Sequence, residues 1–155
     1  LRHFTMLTSV HLLTGAAIGK ATGNFWVAAV LSYAFHHVFD SIPHYNPQPV
    51  KGYLENHLRG VHKPDLILKS LEPIFGIAAT LYFIFLSPDD LRVPMVMGAV
   101  FGWLPDLFVF LGWKFNNRFA KFFSRIEKQF HRHTTFLPGT ISQILISLIA
   151  ILVLL

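Results

Sequence analysis

Four apolar stretches, residues 25–42, 71–87, 93–113 and 137–155, dominate this 155-residue chain. Each reaches or approaches the 20 or so mostly apolar residues that a helix needs to cross a bilayer. Inside hydrocarbon a backbone must satisfy its own hydrogen bonds, which such stretches do as helices. Composition agrees, with 53% of residues hydrophobic and 14% charged, against about 25% charged in ordinary soluble domains. The chain is therefore read as one all-α membrane domain, residues 1–155, a helical bundle with four spanning helices. A fifth apolar segment, Thr8–Lys20, is too short to span comfortably and reads as a short N-terminal helix. ATGN (21–24) follows it as a turn, with Asn24 as the N-cap of the helix that begins at Phe25.

The chain begins LRHFT before Met6, and MLTSVHLLTG reads as a natural start with residues 1–5 as an extension. The apolar run after it passes into more membrane helix and lacks the form of a cleaved signal. The absence of cysteine excludes disulfides and thiolate metal sites.

Loop charges give an orientation. Residues 44–69 hold Lys51, Arg59, Lys63 and Lys69; residues 114–132 hold Lys114, Arg118, Lys121, Arg125, Lys128 and Arg132. With four spans these two segments share one side, and the short SPDDLR (87–92) connection lies on the other. The positive-inside rule makes the basic side cytoplasmic. The net charge of +5 then reflects topology, not affinity for nucleic acid.

Residues 114–132 carry a second pattern. At about 100° per residue, Phe115, Phe119, Phe122, Phe123, Ile126 and Phe130 share an arc of roughly 100°, and the six cations share another. That is the form of an amphipathic helix lying in the headgroup layer, with its cations among anionic lipid phosphates. A helix packed on the protein with a solvated basic face would show the same pattern.

Ionisable groups at membrane depth are costly and rare, so each is a functional candidate. In SYAFHHVFDSIPHYN (32–46), His36 and Asp40 stand four apart and share a helix face. Pro43 ends the helix and leaves His44 just beyond it. His37 is turned about 100° away. Asp106 follows Pro105 inside the third long segment, His11 lies in the short first helix, and His131 and His133 precede the last span. By topology these groups fall in one layer, the cytoplasmic half of the bilayer.

His11, His36, Asp40, His44, Asp106 and His131 together offer six donors, enough for one metal ion that needs four to six. Imidazole with carboxylate suits zinc or another borderline divalent metal. A metal-bound water would be the nucleophile on a phosphodiester or other ester, and Lys128 or Arg132 would hold a phosphate oxygen. No side chain stands out as a dedicated general base. Two other readings use the same residues. In one, the His and Asp groups are hydrogen-bonding partners between helices of a non-catalytic protein. In the other, they form part of a small transporter or proton pathway.

Three motifs, HLLTGAAIG (11–19), HHVFDSIPH (36–44) and LPD (104–106), resemble those of the bacterial inner-membrane metal-dependent hydrolases, some members of which are called LexA-binding. More distantly, an early His followed by HxxxD and a further His is similar to zinc-dependent phospholipase C. The resemblance implies a multi-pass bacterial inner-membrane protein with a divalent-metal site at His11, His36, Asp40 and Asp106, and more loosely at His44 and His131. The chain departs from the family at Phe108, where a second acid is usual, and at HRHTT (131–135).

Overall fold

The computed structural model describes residues 7–44, 63–115, 134 and 136–155, together with Arg118, Phe122, Arg125, Ile126 and Gln129. The described chain forms five long helices: α1 (Thr8–Thr22), α2 (Phe25–Ser41), α3 (Lys63–Leu86), α4 (Asp89–Phe115) and α5 (Phe136–Leu154). It contains no strand. Residues 89–109 of α4 and 137–154 of α5 are long and apolar enough to cross a membrane. α2 has 17 residues, and the apolar part of α3, Leu71–Leu86, is also shorter than these.

The expected segments all lie in helices, but their ends move. α3 begins before the apolar stretch expected at 71–87, and α4 begins at Asp89 where a polar connection was expected. Hydropathy marks the apolar part of a helix, not its hydrogen-bonded limits. Asp89 and Asp90 occupy the first turn of α4, the end where the helix dipole favours acids. Only Ser87 and Pro88 separate α3 from α4. Arg92 closes the corner, donating from Nε to the Ser87 carbonyl (3.1 Å) and from Nη2 to that of Phe85 (3.0 Å). The amphipathic segment expected at 114–132 lies largely outside the described residues. Its Arg118, Phe122, Arg125, Ile126 and Gln129 are helical, while Lys114 and Phe115 belong to α4.

The turn between α1 and α2 forms as its residues dictate. Gly23 takes a left-handed conformation (φ 58°), and its N–H reaches the Gly19 carbonyl. That φ is open to glycine at no steric cost. Asn24 Oδ1 then accepts from the N–H groups of Trp26 (3.0 Å) and Val27 (3.1 Å).

α1 is not a peripheral piece. Val10 to Ala17 are all buried, and the helix packs against each of the other four. Its N-cap residue, Leu7, supplies no side-chain hydrogen bond. Glu72 of α3 supplies one, its Oε1 accepting from the Ser9 N–H at 2.6 Å. At the other end Lys20 Nζ donates to the Leu154 carbonyl of α5 at 2.6 Å.

Small residues set the closest crossing. Gly15 and Gly19 of α1 face Gly98 and Gly102 of α4 with the helices antiparallel. A Cβ on Gly15 would fall on the Gly98 carbonyl, one on Gly19 on the Pro94 carbonyl, and one on Gly102 within 2.8 Å of the His11 carbonyl. This is the small-xxx-small pattern by which helix backbones meet where side chains would hold them apart. Around it the core is modest in bulk: Leu12, Leu13, Ala16, Ala17, Ile84, Met95 and Ala99, with Ala150 and Leu154 of α5. The bulkier apolar side chains point outward, among them Trp26, Phe75, Phe85 and Leu152, each about 70% exposed.

Candidate metal centre

Each ladder of small residues continues, one helical turn further, into a polar group. On α1 the series is His11, Gly15, Gly19; on α4 it is Gly98, Gly102, Asp106. Residues four apart share a helix face. The crossing that brings the glycines together therefore also brings His11 toward Asp106, and His11 Nε2 lies 4.0 Å from Asp106 Oδ2.

α2 lies against the same crossing. The Ser32 hydroxyl is directed at the Gly15 carbonyl (3.5 Å). One turn on, His36 Nδ1 lies 2.7 Å from the Gly102 carbonyl. A carbonyl can only accept, so Nδ1 carries the proton. One turn further, Asp40 stands between the two imidazoles, with Oδ1 3.3 Å from His11 Nε2 and Oδ2 3.3 Å from His36 Nε2. The His11 and His36 rings are 4.0 Å apart between centroids and tilted by 33°.

His11, His36 and Asp40 are at most 1% exposed and Asp106 6%. Ligand atoms of His11, His36 and Asp106 all lie within 4.8 Å of one another, close enough to hold one metal ion. Asp40 is the group that touches both rings. Thus four of the six residues singled out from the sequence share one place. The three residues with mutually close ligand atoms do not include Asp40, which joins the group through its contacts to the two imidazoles, nor His44, which is buried too. Its Nδ1–H donates to the Ile42 carbonyl at 3.0 Å, and its own carbonyl accepts from Thr134 N–H. His131, Lys128 and Arg132 lie outside the described residues. His37 turns aside as its angle requires and meets the Tyr33 ring edge-on at 5.2 Å.

Charge bounds what the cluster can be. When ionised, Asp40 and Asp106 place two negative charges in the buried site, and Asp40 sits in the last turn of α2, at the negative end of that helix dipole. No basic residue of that turn offsets it. Burying such charge is costly unless it is paired. Two imidazolium rings could balance it only by placing like charges about 4 Å apart in a medium of low dielectric, where they repel strongly. One divalent cation between neutral rings balances both carboxylates without that repulsion.

Distances point the same way. Charge-assisted N–H···O hydrogen bonds run at about 2.7–2.9 Å. In a tetrahedral zinc site with bonds of about 2.0–2.1 Å, adjacent ligand atoms stand roughly 3.3 Å apart. Both Asp40–imidazole separations have the second value, while His11 and Asp106, at 4.0 Å, stand further apart.

Two residues of the site escape a search for ionisable groups. Gly102 acts through its carbonyl and its missing side chain, and Gly15 through the same close approach. Their signal is the pair of GxxxG patterns, GAAIG (15–19) and GAVFG (98–102). No protein-family model matches the chain, and neither a curated protein nor a solved structure does.

Proposed function

We propose that this chain is a multi-pass inner-membrane protein that binds a divalent metal, zinc by preference, and hydrolyses a lipid or another phosphoester at the cytoplasmic face. The observation that carries the reading is the buried group of His11, His36 and Asp106, whose ligand atoms lie within 4.8 Å of one another, with the Asp40 carboxylate 3.3 Å from both imidazoles. The donors are two imidazole nitrogens and two carboxylates, a set suited to zinc. His36 commits Nδ1 to a backbone carbonyl, the arrangement that orients histidine ligands in metal sites.

The membrane part of the proposal has four spans, formed by α2, α3, α4 and α5. It rests on the apolar lengths of α4 and α5 and on the large apolar side chains carried outward by α2 to α5. An exposed apolar surface of that extent needs a nonpolar surrounding. The basic segments at 44–69 and 114–132 orient the site toward the cytoplasm under the positive-inside rule. A bound cation there would supply Lewis acidity and a water acidified toward neutral pH. The chain's own residues would hold the cation and exclude bulk water from it, and Asp40 and Asp106 would offset its charge.

The test is elemental analysis of the detergent-purified protein beside His36→Ala and Asp40→Ala, followed by phosphodiesterase assays on lipid and soluble esters. The proposal expects zinc near one per chain, lost in both variants, and ester cleavage that follows the metal. Metal-loaded protein with no cleavage of any ester tested would remove the hydrolase and leave a metal protein.

One observation favours a second reading. The near-complete burial of His11, His36 and Asp40 suits a structural link between α1, α2 and α4 in a protein without catalysis. In that case no stoichiometric ion is found, and Asp40→Asn lowers stability alone.

A further inference from the structure

Gly102 meets both histidines of the centre, His36 at its imidazole and His11 at its backbone carbonyl, each by a different part of its own backbone. Its carbonyl accepts the His36 Nδ1–H at 2.7 Å. Its α-carbon faces α1 so closely that a Cβ there would stand 2.8 Å from the His11 carbonyl, tighter than such contacts allow. One residue without a side chain thus fixes the orientation of one ring and the approach of the helix that carries the other.

We infer that Gly102 is a positioning residue of the metal centre. It turns His36 so that Nε2 faces the cation beside Asp40, and it sets the depth at which His11 enters. This rests on the metal reading above and adds which nitrogen of His36 binds and what selects it. In neutral imidazole, a proton on Nδ1 puts the lone pair on Nε2. Nε2 is the atom 3.3 Å from Asp40 Oδ2. A backbone carbonyl makes a dependable orienter, because no substitution at residue 102 removes it. The side-chain constraint can be broken, since any larger residue pushes α1 and its His11 away from α4.

The experiment is nitrogen-detected NMR of the imidazoles in the full chain, ¹⁵N-labelled at histidine, in detergent, before and after addition of zinc ion. His36 is assigned as the resonance pair missing from His36→Asn, whose amide can still donate to Gly102. The inference expects His36 protonated at Nδ1 alone in the metal-free protein, with zinc perturbing Nε2. Gly102→Ala should keep that tautomer, because the carbonyl remains, yet bind zinc more weakly because the methyl group pushes α1 and its His11 away, by about the 10–100-fold that losing support around the ligands costs.

A proton on Nε2 of metal-free His36, or zinc on its Nδ1, overturns the inference while leaving metal binding intact. Zinc affinity in Gly102→Ala equal to wild type overturns the part that concerns His11. A wild-type chain that takes up no zinc but shows the Nδ1–H form sinks the metal reading and supports the orientation of His36. Should His36→Asn fail to fold, labelled His37→Gln and His44→Gln narrow the assignment by elimination, and the Gly102→Ala titration stands by itself.

Discussion

His11 Nε2 and Asp40 Oδ1 lie 3.3 Å apart, both side chains fully buried, on helices that meet as a hairpin at Gly23 and Asn24. Under the proposed function the two are ligands of one ion, and under the structural-link reading they join α1 to α2 directly. That relationship makes Asp40 the most informative residue to change.

Asp40→Asn keeps the shape of the side chain and removes its charge. Zinc affinity should fall by more than about 100-fold, since even partners outside the coordination sphere cost 10–100-fold when lost. Isothermal titration or competition with a chromophoric chelator measures it. Unchanged affinity would exclude Asp40 as a ligand.

A strong chelator should lower the melting temperature of the wild-type protein, and zinc should restore it. An ion present at about 100 times its dissociation constant contributes about 2.7 kcal/mol to the folded state. Differential scanning fluorimetry in detergent reads the shift. The structural-link reading expects none.

Gly15→Ala places a methyl group against the Gly98 carbonyl. Both partners there are backbone, so the strain is relieved only by separating α1 from α4. Overpacking of this kind costs about 1–3 kcal/mol, and the metal should be lost with the crossing. Chemical denaturation and metal content, measured on the same sample, test both effects.

Glu72→Ala removes the cap that α3 lends to the first turn of α1. The expected loss is about 1 kcal/mol, with Glu72→Gln milder because it keeps an acceptor. Because α1 carries His11 in its first turns, zinc affinity should weaken as well.

Asn24→Ala is the contrasting case. It deletes a cap of the same type, with hydrogen bonds to Trp26 and Val27, at the end of the hairpin away from the cluster. Stability should again fall by about 1 kcal/mol, while zinc affinity holds. A parallel loss of affinity would mean that the centre reports global stability and not local geometry.

Much of this molecule follows from residue patterns alone. Apolar periods and lengths identify the helices around 25–42, 71–87, 93–113 and 137–155, because burial of apolar surface and internal hydrogen bonding leave such runs no other economical form. Asn24 and Gly23 specify the first turn through local backbone chemistry. The four-residue spacing of His36 and Asp40 puts both on one face before any tertiary contact exists. Tertiary structure decided the rest. Length alone suggested that α1 was a minor helix, and it is the one around which the others pack, because its glycines and alanines let four neighbours approach. The shared layer and the resemblance name His11, His36, Asp40 and Asp106 as one set, but not what joins them: His11 meets Asp106 only because two GxxxG faces dock in antiparallel register. His44, equally eligible by type, commits its Nδ1 to the chain end beside it. Composition can nominate donors, but a site needs distances, and those are set by how closely backbones pack.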